Sequence, residues 1–100
     1  MKTYVSRSAL GGAVVAVEGS FEGQDADQLQ SMVTALRPGG PVTLDFHKVR
    51  SASDAAVTKL ASQLRATSGR VTMVGLSGHH HRVLEYVGLT QLPNAHESAD

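Results

Sequence analysis

Two apolar runs, Val42-Thr43-Leu44-Asp45-Phe46 and Val71-Thr72-Met73-Val74-Gly75-Leu76, are each followed by an apolar stripe of helical spacing. That alternation constrains the fold more than any other feature of the chain. The first stripe is Val57, Leu60, Ala61 and Leu64, and the second is His80, Val83, Leu84 and Val87. Strands separated by helices need crossover connections, which predict a partly parallel sheet with helices packed on it. Upstream, Leu29, Met32, Val33 and Leu36 mark an earlier helix. Residues 2–10 and 13–17 flank Gly11-Gly12, a pair suited to positive φ at both positions and hence to an antiparallel hairpin. The expected class is α/β: a mixed four- to five-stranded sheet with an N-terminal antiparallel hairpin and three helices, forming one domain over residues 1–90.

Local punctuation sharpens this order. Asp25 with Gln28 three residues on suggests the first helix cap, and Pro38-Gly39-Gly40 its end. Residues 47–52 read as a short polar loop, with the second helix starting at Ser53 or Asp54 and stopping at Ser68-Gly69. The third helix is expected to run from near Ser77 to Gly88, with Leu89 making the hydrophobic contact of a Schellman ending. The mostly apolar run 71–76 suggests a strand covered on both faces. Residues 91–100 are polar and aperiodic, as expected of a loosely held tail.

Composition removes several functional classes. Nine basic residues balance nine acidic ones, and only four residues are aromatic, none of them Trp. Neither the field nor the stacking platform of a nucleic-acid binder is supplied. With no Cys, disulfides and thiolate metal sites are excluded, which agrees with a cytoplasmic setting. No leader and no apolar run near the ~18 residues of a membrane span are visible, so direct membrane insertion is not expected. Catalysis is not expected either: neither a Gly-x-Ser-x-Gly turn nor a phosphate-cradling glycine loop occurs, and no cofactor is implied.

The segment 42–57 resembles the signature of the STAS domain, the fold of bacterial anti-anti-sigma factors, in which an apolar strand ending in an Asp-apolar pair leads into Asp-Ser-Ser-Gly or a near variant. The resemblance extends from about Tyr4 to Leu89. It includes Val17-Glu18-Gly19-Ser20-Phe21-Glu22 before the first helix and the run from Val71 to Leu89, in which Arg82 and Gly88 match basic and glycine positions of the family. It places the family's Asp on Ser53, its phosphorylatable Ser or Thr on Asp54, and its small pair on Ala55 and Ala56. The hydroxyl of the switch position is therefore absent.

The resemblance implies a regulatory module that binds an anti-sigma factor kinase and is controlled at the helix start. The alternatives are an accessory subunit binding the ATPase of a phospholipid-trafficking ABC transporter, or a stressosome-type scaffold component. Self-association is left open. Ser53, Asp54, Ala55, Ala56, Glu22, Thr58, Lys59 and Ser62 are the candidate partner-binding residues, with Arg65 on the same helix face. Asp54 is read either as a fixed charge where relatives add phosphate or as a plain helix cap, and Ser51 and Ser53 are candidate displaced phosphoacceptors. His79, His80 and His81 are consecutive, and neighbours on a helix diverge by about 100°, so these three imidazoles do not converge on one ion and no metal centre is expected. The phase of His80 predicts a packing residue, with His79 and His81 exposed.

Overall fold

The computed structural model describes residues 1–7, 11–65, 71–86 and 95–97. The elements are β1 (Lys2–Arg7), β2 (Ala13–Phe21), α1 (Gly23–Leu36), β3 (Val42–Ala52), α2 (Asp54–Arg65), β4 (Val71–Leu76), α3 (Gly78–Tyr86) and β5 (Ala95–Glu97), with a short 3-10 turn, Arg37–Gly39, closing α1. The sheet order is β1-β2-β3-β4-β5. β1 pairs antiparallel with β2, while the β2·β3, β3·β4 and β4·β5 ladders are parallel. Gly11 and Gly12 lie at the expected positive φ, +91° and +89°, but the last pair of the hairpin is Arg7 with Ala13, so the connection is longer than a two-residue Gly-Gly turn.

Alternation along the strands places the core. Val15, Val17 and Phe21 of β2, Val42, Leu44 and Phe46 of β3, and Val71, Met73 and Leu76 of β4 are buried. They meet Ala26, Leu29 and Val33 of α1 and Ala56, Val57, Leu60, Ala61 and Leu64 of α2 in one apolar cluster. The other side of the strands carries Val14, Ala16, Thr43, Asp45, Thr72 and Val74, all half-buried. The expectation that β4 is covered on both faces is met only in part: Thr72 and Val74 are half-buried, opposite a fully buried Met73.

Other boundaries also moved. Residues 47–52 are strand, not loop: β3 continues to Ala52 because β2 continues to Phe21, and the two extensions pair through register shifts. The α1 cap falls at Glu22 rather than Asp25, which occupies the third helical position. Part of the expected polar tail, Ala95–Glu97, adds a parallel strand beside β4. Ser68-Gly69, Gly88 and Leu89 lie outside the described residues.

Candidate functional site

Each of the strands β2, β3 and β4 turns into its helix through a single residue. β2 ends at Phe21 and α1 begins at Gly23; β3 ends at Ala52 and α2 begins at Asp54; β4 ends at Leu76 and α3 begins at Gly78. The three joints are Glu22, Ser53 and Ser77, and at each a local side chain caps the helix. The Asp25 carboxylate accepts the Glu22 N–H at 2.8 Å, Ser53 Oγ accepts the Ala56 N–H at 3.1 Å, and Ser77 Oγ accepts the His80 N–H at 3.2 Å. Three helix N-termini therefore open side by side along the carboxyl edge of the parallel strands, where α/β sheets place their sites.

The joints are tied together. The Ser53 N–H donates to the Phe21 carbonyl at 3.1 Å, linking the starts of α1 and α2. His79 Nε2 lies 2.9 Å from Asp54 Oδ1, and His80 Nε2 lies 3.1 Å from the Ala52 carbonyl and 3.5 Å from the same Asp54 oxygen, linking the starts of α2 and α3. Beside this rim a cleft of 330 Å³ lies between the end of β3 and the start of α3, lined in part by His47, Arg50, Ser51, Ser77 and His80. The His47 of its lining is held by Asp45 of β3, whose carboxylate accepts the His47 N–H at 2.9 Å with the ring Nδ1 at 2.7 Å.

These contacts separate the sequence candidates. Ser53 is the α2 cap, so the reading of Asp54 as the cap is corrected: Asp54 is the first helical residue, with its carboxylate turned outward to His79 and 54% exposed. As the cap, the Ser53 hydroxyl is engaged with backbone and half-buried, whereas Ser51 is exposed on β3 with its hydroxyl 3.3 Å from Ser20 Oγ. Ala55 and Ser62 are exposed and Thr58 half-buried, but Ala56 is fully buried, so it supports the helix start from within the core. Glu22 is exposed at its joint.

Lys59 Nζ donates to Asp27 Oδ2 at 2.9 Å, and Gln63 Nε2 to Asp27 Oδ1 at 2.9 Å, so these α2 side chains brace α1. Hydrogen bonds from Lys59 and then Gln63, with the lysine charge adding to them, hold the Asp27 carboxyl below its ordinary range. His79 is exposed and His80 half-buried, as their helical phase predicts, but His81 is half-buried rather than exposed.

The approach of His79 and His80 to Asp54 does not follow from the spacing of the histidines, because their common neighbour comes from a different βα joint. The signal was present as Ser77-Gly78, a cap and helix start that raises the next two side chains over the adjacent joint.

Ser53→Ala lowers unfolding free energy by about 1 kcal/mol in a urea titration, the usual worth of a hydroxyl cap. Asp54→Ala removes an exposed first-turn charge and costs less, about 0.3–1 kcal/mol. The reverse ranking would return the cap to Asp54.

A mixed sheet with its helix starts gathered on one edge, a capped α2 and a polar rim defines an α/β domain of the STAS class. The chain belongs to that family: the model described as Mlab, STAS domain, matches residues 6–94. No curated protein matches the sequence significantly. Solved structures share the fold. The anti-sigma factor antagonist SpoIIAA in its unphosphorylated form is 17% identical with a TM-score of 0.66, covering 99% of this chain and 89% of its own. The phosphorylated Bacillus cell fate determinant SpoIIAA is 15% identical at 0.63, covering 99% and 92%. An uncharacterised Shewanella loihica protein with a SpoIIAA-like fold is 15% identical at 0.56, covering 99% and 84%.

Proposed function

We propose that this chain is a non-catalytic, cytoplasmic regulatory module that binds a protein partner through the rim around Asp54, acting as an anti-sigma factor antagonist without phosphorylation at that position. The observation that carries this reading is the placement of Asp54. It stands uncapped by its own side chain and exposed at the first position of α2, flanked by the capping Ser53 and by exposed Ala55. A carboxylate there offers no hydroxyl to a Ser/Thr kinase. It supplies one fixed negative charge against about 1.5 to 2 for a phosphate, with fewer acceptor oxygens. The partner then meets an invariant surface, and control passes to the abundance of the proteins or to the partner itself. Glu22, Ser62 and the exposed side of α2 extend the contact, with Lys59 contributing only where the partner displaces Asp27.

A second reading is favoured by the family description, which is that of the Mlab branch. Under it the same rim docks on the ATPase of a phospholipid-trafficking ABC transporter, and Asp54 is a contact residue with no switching role.

Affinity capture of the full chain from its native host at moderate salt, with mass spectrometry of the co-eluting proteins, separates the two. An anti-sigma factor kinase among specifically retained proteins supports the first reading. An ABC ATPase or permease supports the second and removes the first. The same digest reports whether Ser51 or Ser53 carries phosphate; the engaged Ser53 hydroxyl is expected to be unmodified.

A further inference from the structure

We infer that Asp54, His79 and His80 form a binding site for a divalent transition-metal ion of the zinc type, bridging the starts of α2 and α3. The three ligand atoms lie within 4.8 Å of one another. Asp54 Oδ1 is 2.9 Å from His79 Nε2 and 3.5 Å from His80 Nε2. A tetrahedral zinc ion with bonds of about 2.0–2.2 Å holds neighbouring donors about 3.3–3.6 Å apart, so both spacings to Asp54 lie within about half an ångström of what the ion requires, and small side-chain rotations bring the two imidazoles to the same separation. Two imidazoles and one carboxylate select zinc, cobalt, nickel or copper over magnesium and calcium, which prefer all-oxygen shells.

The divergence of consecutive helical side chains, which rules out a centre made of three neighbouring histidines, does not apply here. Only two of them are used. They sit in the first turn of α3, and the third donor comes across from α2 to meet both. The tautomer needed is also provided for. Ser77 Oγ lies 2.9 Å from His80 Nδ1, so it can accept an Nδ1–H and leave the Nε2 lone pair free for the ion, the outer-shell arrangement usual for ligating histidines. Without an ion, Nε2–H donates to the Ala52 carbonyl and the serine hydroxyl donates to Nδ1. Metal capture thus exchanges the Ala52 contact of Nε2 for the ion and keeps Nδ1 against Ser77.

The side chains of His79 and Asp54 are 60% and 54% exposed, so the remaining coordination positions face water and the ion exchanges with solution.

The test is calorimetric titration of the chelator-stripped full chain with zinc chloride. The wild type is expected to take up one equivalent with a rise in thermal midpoint, because the ion binds a site assembled only in the folded state. His79→Ala and Asp54→Asn are each expected to weaken binding at least about tenfold. Both positions are surface-exposed, and circular dichroism verifies that the variants fold. His81→Ala, outside the cluster, should bind as the wild type does. So should His47→Ala, although Asp45 and His47 form another carboxylate-imidazole pair at 2.7 Å. Absence of uptake by the wild type, unchanged affinity in His79→Ala, or loss of binding in His47→Ala would each overturn the inference.

Discussion

Phe21→Ala lowers the unfolding free energy by about 3–5 kcal/mol, the range for removing a buried aromatic ring without collapse of the cavity. Phe21 is fully buried at the last position of β2 and meets Phe46 edge to face, with ring centroids 5.3 Å apart and planes at 88°. The contact joins the ends of β2 and β3 from inside. On the outside, the same Phe21 carries the carbonyl that accepts the Ser53 N–H. Cavity formation therefore falls directly beneath the joints that start α1 and α2, and the loss is expected to loosen the rim as well as the core. Urea unfolding measures the first effect, and amide exchange at Ser53 measures the second. Tyr4→Ala is the control: Tyr4 is 54% exposed on the edge strand, and its loss should stay within about 0.5 kcal/mol. Equal effects for the two aromatics would contradict the placement of the core.

Gly75→Ala is the second large effect. Gly75 has φ +80°, which costs an L-residue about 1–2 kcal/mol. Space is missing too. A Cβ there would stand 2.6 Å from the His47 backbone nitrogen and 2.8 Å from its ring Cγ. Relieving that overlap requires β3 and β4 to separate, at a cost of about 1–3 kcal/mol. The two costs together give about 2–5 kcal/mol. Gly19 isolates the backbone share, because its φ is +88° and a Cβ would meet nothing within 4 Å. Gly19→Ala should therefore cost only about 1–2 kcal/mol by urea titration. Similar losses at both glycines would mean that the approach of β4 to His47 is not tight. Because His47 lines the cleft and Gly75 lies just before the Ser77 cap, Gly75→Ala should also disturb the start of α3.

Much of this architecture was legible because local patterns and tertiary packing agree. The stripe Val57, Leu60, Ala61, Leu64 is buried along α2, and Val42, Leu44 and Phe46 are buried along β3. What the sequence obscured was pairing between distant segments. His47-Lys48-Val49-Arg50-Ser51-Ala52 has no clean alternation and reads as loop, but the equally irregular end of β2 provides a ladder for it. Asp25 looked like a cap because its type suits one; the geometry instead uses it as the residue that answers Glu22. At the site, the local chemistry of Ser53 and Asp54 was visible, but which of the two caps depended on backbone direction at the joint. The meeting of Asp54 with two histidines 25 and 26 positions later was beyond any local pattern, since it depends on neighbouring βα joints sharing one edge of the sheet.

Whether a partner docks on the rim around Asp54 is read from the affinity of the specifically captured partner for three forms of the chain: wild type, Asp54→Arg, and Thr72→Arg on the opposite side of the sheet. Asp54→Arg is expected to weaken binding at least about a hundredfold, as reversal of a central interface charge does, with Thr72→Arg close to wild type. Undiminished affinity in Asp54→Arg, with loss in Thr72→Arg, would instead move the binding surface to the open face of the sheet.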